Sequence, residues 1–265
     1  MTSTLESTAQ RTFDHGRARQ VVRARKGQVG YGYSIGVLML ECNIPFIPGD
    51  VGNASTYRFP VQYRMVPGAT EDAVVGRQDP ALTPRIVEEA QALVAQGVRA
   101  ITSDCGFFGA YQAAVAAAVD VPVFLSSLLQ APMVVSMLGP ERKLAVLVAS
   151  GRTVSERLLQ AVGITAELRS RLVFSGMEDK PYFRAAILDE VGELDVESVE
   201  QEVVETALTV LAKDPSVGAF LLECSDLPPY SHAIQRATGL PVFDFIGFIN
   251  YVHHAVVSEP YGGFM

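Results

Sequence analysis

The chain has 265 residues, enough for one large α/β domain or two lobes of roughly 130 residues each. Apolar residues make up 49% and charged residues 19%, with 22 Gly and 15 Pro spread along the chain, which excludes a disordered polar chain and a fibrous repeat. The formal charge of −8 is uneven: residues 1–30 carry six Lys/Arg against two acids, a net of +4, which leaves −12 on a body that would repel nucleic acid.

In chain order, residues 1–30 read as a solvated basic arm (Arg11, Arg17, Arg19, Arg23, Arg25, Lys26), with Glu6 and Asp14 counting against a transit peptide. The start MTSTLESTAQRTFDHG lacks the apolar core of a secretory signal, and no run reaches the ~18 apolar residues of a membrane span. A cytoplasmic location without a membrane partner is the expectation. Short β-rich runs predict strands at 36–41, 99–104, 121–125, 144–149, 218–223 and 240–245. Helical patterns alternate with them. Thr83 as cap and Pro84 at the first helical position open a helix with Ile86, Val87, Ala90, Leu93 and Val94 on one face, closed by Gly97. A second helix is expected over 153–162, before Gly163. A third spans 195–211, with Val196, Val199, Val203, Ala207 and Val210 inward and Glu197, Glu200, Glu202 and Glu205 outward. Strands alternating with helices predict parallel sheets.

The segment 43–70 is rich in Pro, Gly, Asn and Thr and predicts a long loop lying over a binding cleft. Asn53, Thr56 and Tyr57 offer hydrogen bonds there. Phe46, Tyr57, Phe59, Tyr63 and Phe107 are candidates to wall the site or face a cation, and Arg58 and Arg64 could hold a carboxylate.

Residues 104–124, DCGFFGAYQAAVAAAVDVPVF, repeat as ECSDLPPYSHAIQRATGLPVF at 223–243, a constant offset of 119. Cys105 meets Cys224, Tyr111 meets Tyr230, and Pro122-Val123-Phe124 meets Pro241-Val242-Phe243. The predicted architecture is therefore α/β, two lobes with parallel sheets related by a pseudo-twofold and a shared cleft between them. The first lobe covers 31–139, with the lid loop 43–70. The second covers 140–265, and its end is expected to pack back on the first.

Three cysteines in a chain this long suit free thiols better than a disulfide framework. Cys105 and Cys224 fall beyond the carboxyl ends of predicted strands, where open α/β sheets bind ligands. Each lies just before a helix, whose free N–H groups favour a thiolate or a substrate carboxylate. Two thiols on opposite faces of one carbon suit removal of a proton next to a carboxylate and its return from the far side. That chemistry needs neither metal nor organic cofactor, and the three closely spaced ligands of a zinc site are absent from the sequence. The backbone amides of Gly106 and Ser225, with Ser126 and Ser127, are candidates to hold the substrate carboxylate. Glu41, Asp104 and Glu223 are candidate supporting residues. Cys42, which has no repeat partner, reads as a packing residue or as support behind the site, and His253 and His254 as surface or packing residues.

The motifs SDCGFFGAYQ and LLECSDLPPYSHAI resemble the two cysteine motifs of the aspartate/glutamate racemase superfamily, over about 210 residues of the chain. More narrowly, PGDVGNASTYRFPVQYRMVPG with ITSDCGFF, ECSDLPPY and GLPVFD is similar to the algal-type dimethylsulfoniopropionate (DMSP) lyase branch. The resemblance implies flavodoxin-like lobes, a site between them, Cys105 and Cys224 as acid and base, and a possible homodimer. Glutamate racemases carry Asp-Ser after the first strand and Thr-His after the second cysteine, where this chain has Glu41-Cys42 and Ser225-Asp226. The expected function is a cofactor-independent two-cysteine enzyme that abstracts the α-proton of a small carboxylic acid, with racemisation or epimerisation first. β-Elimination of the DMSP lyase kind is the alternative, and a non-catalytic binding protein is the third reading.

Overall fold

The computed structural model describes residues 21–24 and 26–264. Most of the basic arm, including Arg11, Arg17, Arg19 and Arg25, lies outside the described residues. The chain builds two parallel sheets. In the first, β1 (Ile35–Met39) is flanked by β2 (Val61–Met65) and β3 (Ala100–Ser103), in the order β2-β1-β3. In the second, β4 (Lys143–Val148), β5 (Leu172–Gly176), β6 (Val217–Leu222) and β7 (Val242–Phe243) run in the order β5-β4-β6-β7. A parallel bridge from Ile101 to Val123 stands where β7 stands in the second sheet, so the two lobes share one strand order.

The inner strands were legible because they are buried on both faces: Ile35 to Leu38, Ala100 to Ser103 and Leu144 to Val148 are covered throughout, and such strands read as continuous apolar runs. Edges differ. β2 lies inside the segment expected to be a loop, and β5 falls in none of the predicted strands; β2 is half-buried to exposed and β5 is half-buried past Leu172, so neither presents a continuous apolar run. Conversely, the predicted strands 121–125 and 240–245 shrink to a bridge and two residues. The prolines explain this: Pro122 and Pro241 each accept from the neighbouring strand, Ile101 and Phe220 N–H at 2.9 Å, but neither has an N–H of its own to extend a ladder.

The first predicted helix is Thr83–Ala95, but Thr83 is its first residue and Leu82 its cap. The second is shorter than expected, Glu156–Ala161, because Ser155 caps Leu158 N–H at 3.1 Å and a separate 3₁₀ turn occupies Gly151–Thr153. The third, Val196–Lys213, is capped by Asp195 on Ser198 N–H at 3.0 Å. Glu202, expected outward, is buried and accepts the N–H groups of Tyr182 and Phe183 at 3.0 and 2.8 Å, capping the turn that begins at Pro181.

One apolar core runs through both sheets, from Leu38 and Ile101 to Val146 and Leu221. A smaller cluster joins Ile35, Val37 and Ala100 to Phe245 and Ile249, so the C-terminal helix Phe245–Val256 covers the outer face of the first sheet. His253 is a packing residue there, stacked on Phe59 at 3.5 Å and bonded to Ser34 Oγ at 2.8 Å. Among the described residues no helix is long and apolar enough to cross a membrane.

Candidate active site

β3 ends at Ser103 and β6 at Leu222, and the chain stays extended for two residues before turning at Gly106–Tyr111 and after Cys224. Cys105 and Cys224 therefore stand at equivalent carboxyl-end positions of the two sheets. Both line one cavity between the lobes, with Leu40, Phe46, Asp104 and Asp226 among its other walls. Its volume is about 20 Å³, room for about one water. A larger cavity, about 470 Å³, lies elsewhere, between Met133, Phe248 and Tyr251, and no cysteine lines it.

The two motifs interlock across the lobe boundary. Ser225 Oγ donates to the carbonyl of Asp104, and Ser127 Oγ donates to the carbonyl of Leu222 at 2.7 Å. Gly106 packs so closely on the Glu223 carboxyl and carbonyl that an added Cβ would overlap both. A glycine is required there by the approach of the second motif.

The electrostatics are unusual for their lack of compensation. Asp50, Asp104, Glu223 and Asp226 are all buried, and among the described residues no Lys or Arg lines the cysteine cavity. Asp104 is held by Leu40 N–H, at 2.9 and 3.0 Å from its two oxygens, yet burial still raises it well above the carboxylate range. Burial pushes Glu223 up to about 8, and among the described residues neither of its oxygens has a hydrogen-bond partner. Asp50 and Asp226 are likewise raised by burial, and the neighbouring Asp226 carboxyl raises Asp50 further. Cys224 donates to Asp226 Oδ2 at 3.3 Å, and Asp226 Oδ1 has no hydrogen-bond partner among the described residues. Burial, then the nearby acids, holds both thiols well above their ordinary value: Glu223 and Asp104 act on Cys105, Asp226 and Glu223 on Cys224. At rest both are neutral. Half-buried Cys42 is pushed up to about 12 by burial and by Asp104.

Of the residues singled out in the sequence, Cys105, Cys224, Asp104, Ser225 and Phe46 meet at the cavity. Several others are placed elsewhere. Asn53 accepts from Ser55 N–H and donates to Phe46 O, Thr56 bridges Gly49 and Asp50, and Tyr57 donates to Val51 O. Their polar atoms are consumed in folding their own loop. Tyr57, Phe59 and Tyr63 pack with the smaller cluster under the C-terminal helix, and Phe107 is fully buried in the main core. Ser126 caps Leu128 N–H at 3.2 Å, Glu41 accepts from Gly68 N–H at 2.8 Å, Arg64 pairs with Glu89, and Arg58 is exposed. Sequence reasoning missed Asp226 and Asp50 as site residues. The available signal was Asp226 itself, standing two residues after Cys224 where glutamate racemases place an imidazole. Among the described residues no group of His, Cys, Asp and Glu has the arrangement that holds a metal ion.

The architecture and the paired thiols define the class first. Solved structures with the same fold include an allantoin racemase from Klebsiella pneumoniae (17% identical, TM-score 0.59, 84% of this chain and 87% of that one). Unliganded arylmalonate decarboxylase is another (18%, TM-score 0.55, 86% and 94%). The chain has the two-lobed racemase-type fold. No family model matches it. It is 35% identical to dimethylsulfoniopropionate lyase 7 of Emiliania huxleyi, over 86% of this chain and 68% of that one. It is 33% identical to the dimethylsulfoniopropionate lyase of Durusdinium sp. clade D, over 86% and 76%. The chain spans 61% of Emiliania huxleyi lyases 3 and 6. It belongs to the dimethylsulfoniopropionate lyase family.

Proposed function

We propose that the protein is a two-cysteine carbon–sulfur lyase that cleaves a β-sulfonium carboxylate such as DMSP by elimination. The observation that carries this reading is Cys105 and Cys224 on one cavity, with Asp226 accepting the Cys224 thiol proton at 3.3 Å. A thiol with an adjacent carboxylate acceptor is an activated base. In the proposed step Cys224, having passed its proton to Asp226, takes a proton from the carbon next to the substrate carboxylate. The C–H electron pair becomes the carbon–carbon double bond, the C–S bond breaks, and its pair leaves on sulfur. The products are neutral dimethyl sulfide and acrylate. Cys105, on the facing motif, closes the other side of the reacting carbon. The step draws on no cofactor.

The four buried acids around the cavity, with no Lys or Arg among the described residues of its wall, disfavour an acidic amino acid, which brings a second carboxylate. Racemisation at the same carbon is the second reading, favoured by the equivalent placement of the two thiols. A panel of DMSP and chiral carboxylates in heavy water separates the two. Dimethyl sulfide released in step with acrylate supports the lyase; deuterium entry at an α-carbon without elimination overturns it in favour of the racemase.

A further inference from the structure

We infer that Asp226, backed by Asp50, is the subsite for a positively charged head group, so that the site takes onium carboxylates, sulfonium or quaternary ammonium, over neutral molecules of the same shape. The inference rests on the lyase reading for the reaction, but not for its test. Asp226 lines both the cysteine cavity and a neighbouring void walled by Phe183, Ile187, Leu194 and Tyr230. It is 8% exposed, and its Oδ1 has no hydrogen-bond partner among the described residues. Asp50, 2% exposed, lines the same void, and neither void has a Lys or Arg among the described residues of its wall. A buried carboxylate with an unfilled acceptor and no counter-ion is costly unless something compensates it. A cation would do so, and the apolar and aromatic wall suits one that carries methyl groups rather than N–H donors. A bound cation would also lower the cost of a thiolate at Cys224, which the resting site opposes: when Cys224 passes its proton to Asp226, the negative charge moves from the carboxylate to the thiolate and stays beside the cation.

The test uses two unreactive ligands of equal shape, 3-(trimethylammonio)propionate and 4,4-dimethylpentanoate, with binding read by calorimetry and no turnover required. The wild type is expected to bind the cation at least tenfold more tightly. Asp226→Asn, or Asp50→Asn/Asp226→Asn if Asp50 ionises in its place, is expected to lose most of that ratio. Equal binding of the two by the wild type overturns the subsite even if DMSP is cleaved. A cation preference that survives both variants overturns it too. A preference that depends on Asp226 in a protein that does not cleave DMSP leaves the subsite standing and removes the lyase reading.

A second feature bears independently on how a substrate reaches a cavity with room for about one water. Two π-helical turns, Asp72–Gly76 and Arg184–Leu188, are related by an offset of 112 and supply Val75 and Ile187 to the cavity wall. Two residues after each comes a residue with φ of 48°, Gln78 and Glu190, the only non-glycine residues with positive φ among those described. Each then crosses to the other lobe. Gln78 Nε2 donates to Thr153 O at 2.6 Å, and its Oε1 accepts from Ser155. Glu190 accepts from Asn43 N–H at 3.1 Å, and its carbonyl accepts from Asn43 Nδ2 at 3.4 Å. We propose that these turns are a pair of doors, latched across the cleft at Gln78 and Glu190, that open to admit substrate. Left-handed Gln and Glu store strain that opening releases. Labelling of each cysteine by iodoacetamide, resolved by mass spectrometry, tests this. Gln78→Ala and Glu190→Ala, which remove the side chains that cross to the other lobe, are expected to speed modification of Cys105 and Cys224 at least threefold, independently of urea below the unfolding transition. Unchanged rates, or rates that follow global unfolding in urea, overturn the doors.

Discussion

Glu223 is fully buried, has no hydrogen-bond partner for either oxygen among the described residues, and is pushed up to about 8. In the unfolded chain its proton leaves near 4.5, whereas in the folded chain it stays until about pH 8. Across that window the unfolded state binds fewer protons, so the contribution of Glu223 to stability falls as pH rises. Glu223→Gln removes the penalty. Denaturant titrations at pH 8 and above are expected to find the variant more stable by at least roughly 2 kcal/mol, with little difference near pH 4.5; equal pH slopes in the two proteins would contradict this. Gly106 faces the same carboxyl. Gly106→Ala forces a Cβ into the Glu223 side chain and carbonyl and is expected to cost about 1–3 kcal/mol, read as a shift of the urea midpoint. The thiol pair was visible in the sequence because it recurs at one offset. The orphaned state of Glu223 was not, since the lack of a partner is a property of the packed interior that no single position reports.

At the scale of elements, inner strands and long amphipathic helices followed from pattern, while the edges did not. β1, β4 and β6 are covered on both faces, so their sequences cannot be anything but apolar. β2 (VQYRM) is mostly half-buried with Arg64 pairing to Glu89, and nothing in its composition separates it from the surrounding loop. The same limit explains the misplaced binding residues: Asn53 and Thr56 have the right chemistry for a ligand, but the turns of their own loop compete for it. The helix Val196–Lys213 offers a clean check on local reasoning. Asp195 accepts Ser198 N–H at 3.0 Å, and Asp195→Ala is expected to lower stability by about 1 kcal/mol, measured by thermal or urea unfolding. No loss would show that packing of the helix, rather than its cap, fixes its start.

For the whole molecule, the internal repeat gave two lobes with a common strand order, but not how tightly they join. The core is continuous from Leu38 to Leu221, and Ser127 and Ser225 tie each motif to the opposite lobe. Far-ultraviolet circular dichroism and tyrosine fluorescence are therefore expected to report one coincident unfolding transition. Two separated transitions would mean that the lobes fold independently and that the cleft is soft.

The account stands on chemistry by the two thiols that this junction brings together. Its most direct measurement is the rate of dimethyl sulfide release from DMSP by the wild type, Cys105→Ser and Cys224→Ser, followed by headspace gas chromatography. Release by the wild type and a fall of about 10²–10⁴-fold in Cys224→Ser is the predicted result, with a substantial loss in Cys105→Ser. Release by both variants at the wild-type rate would contradict it.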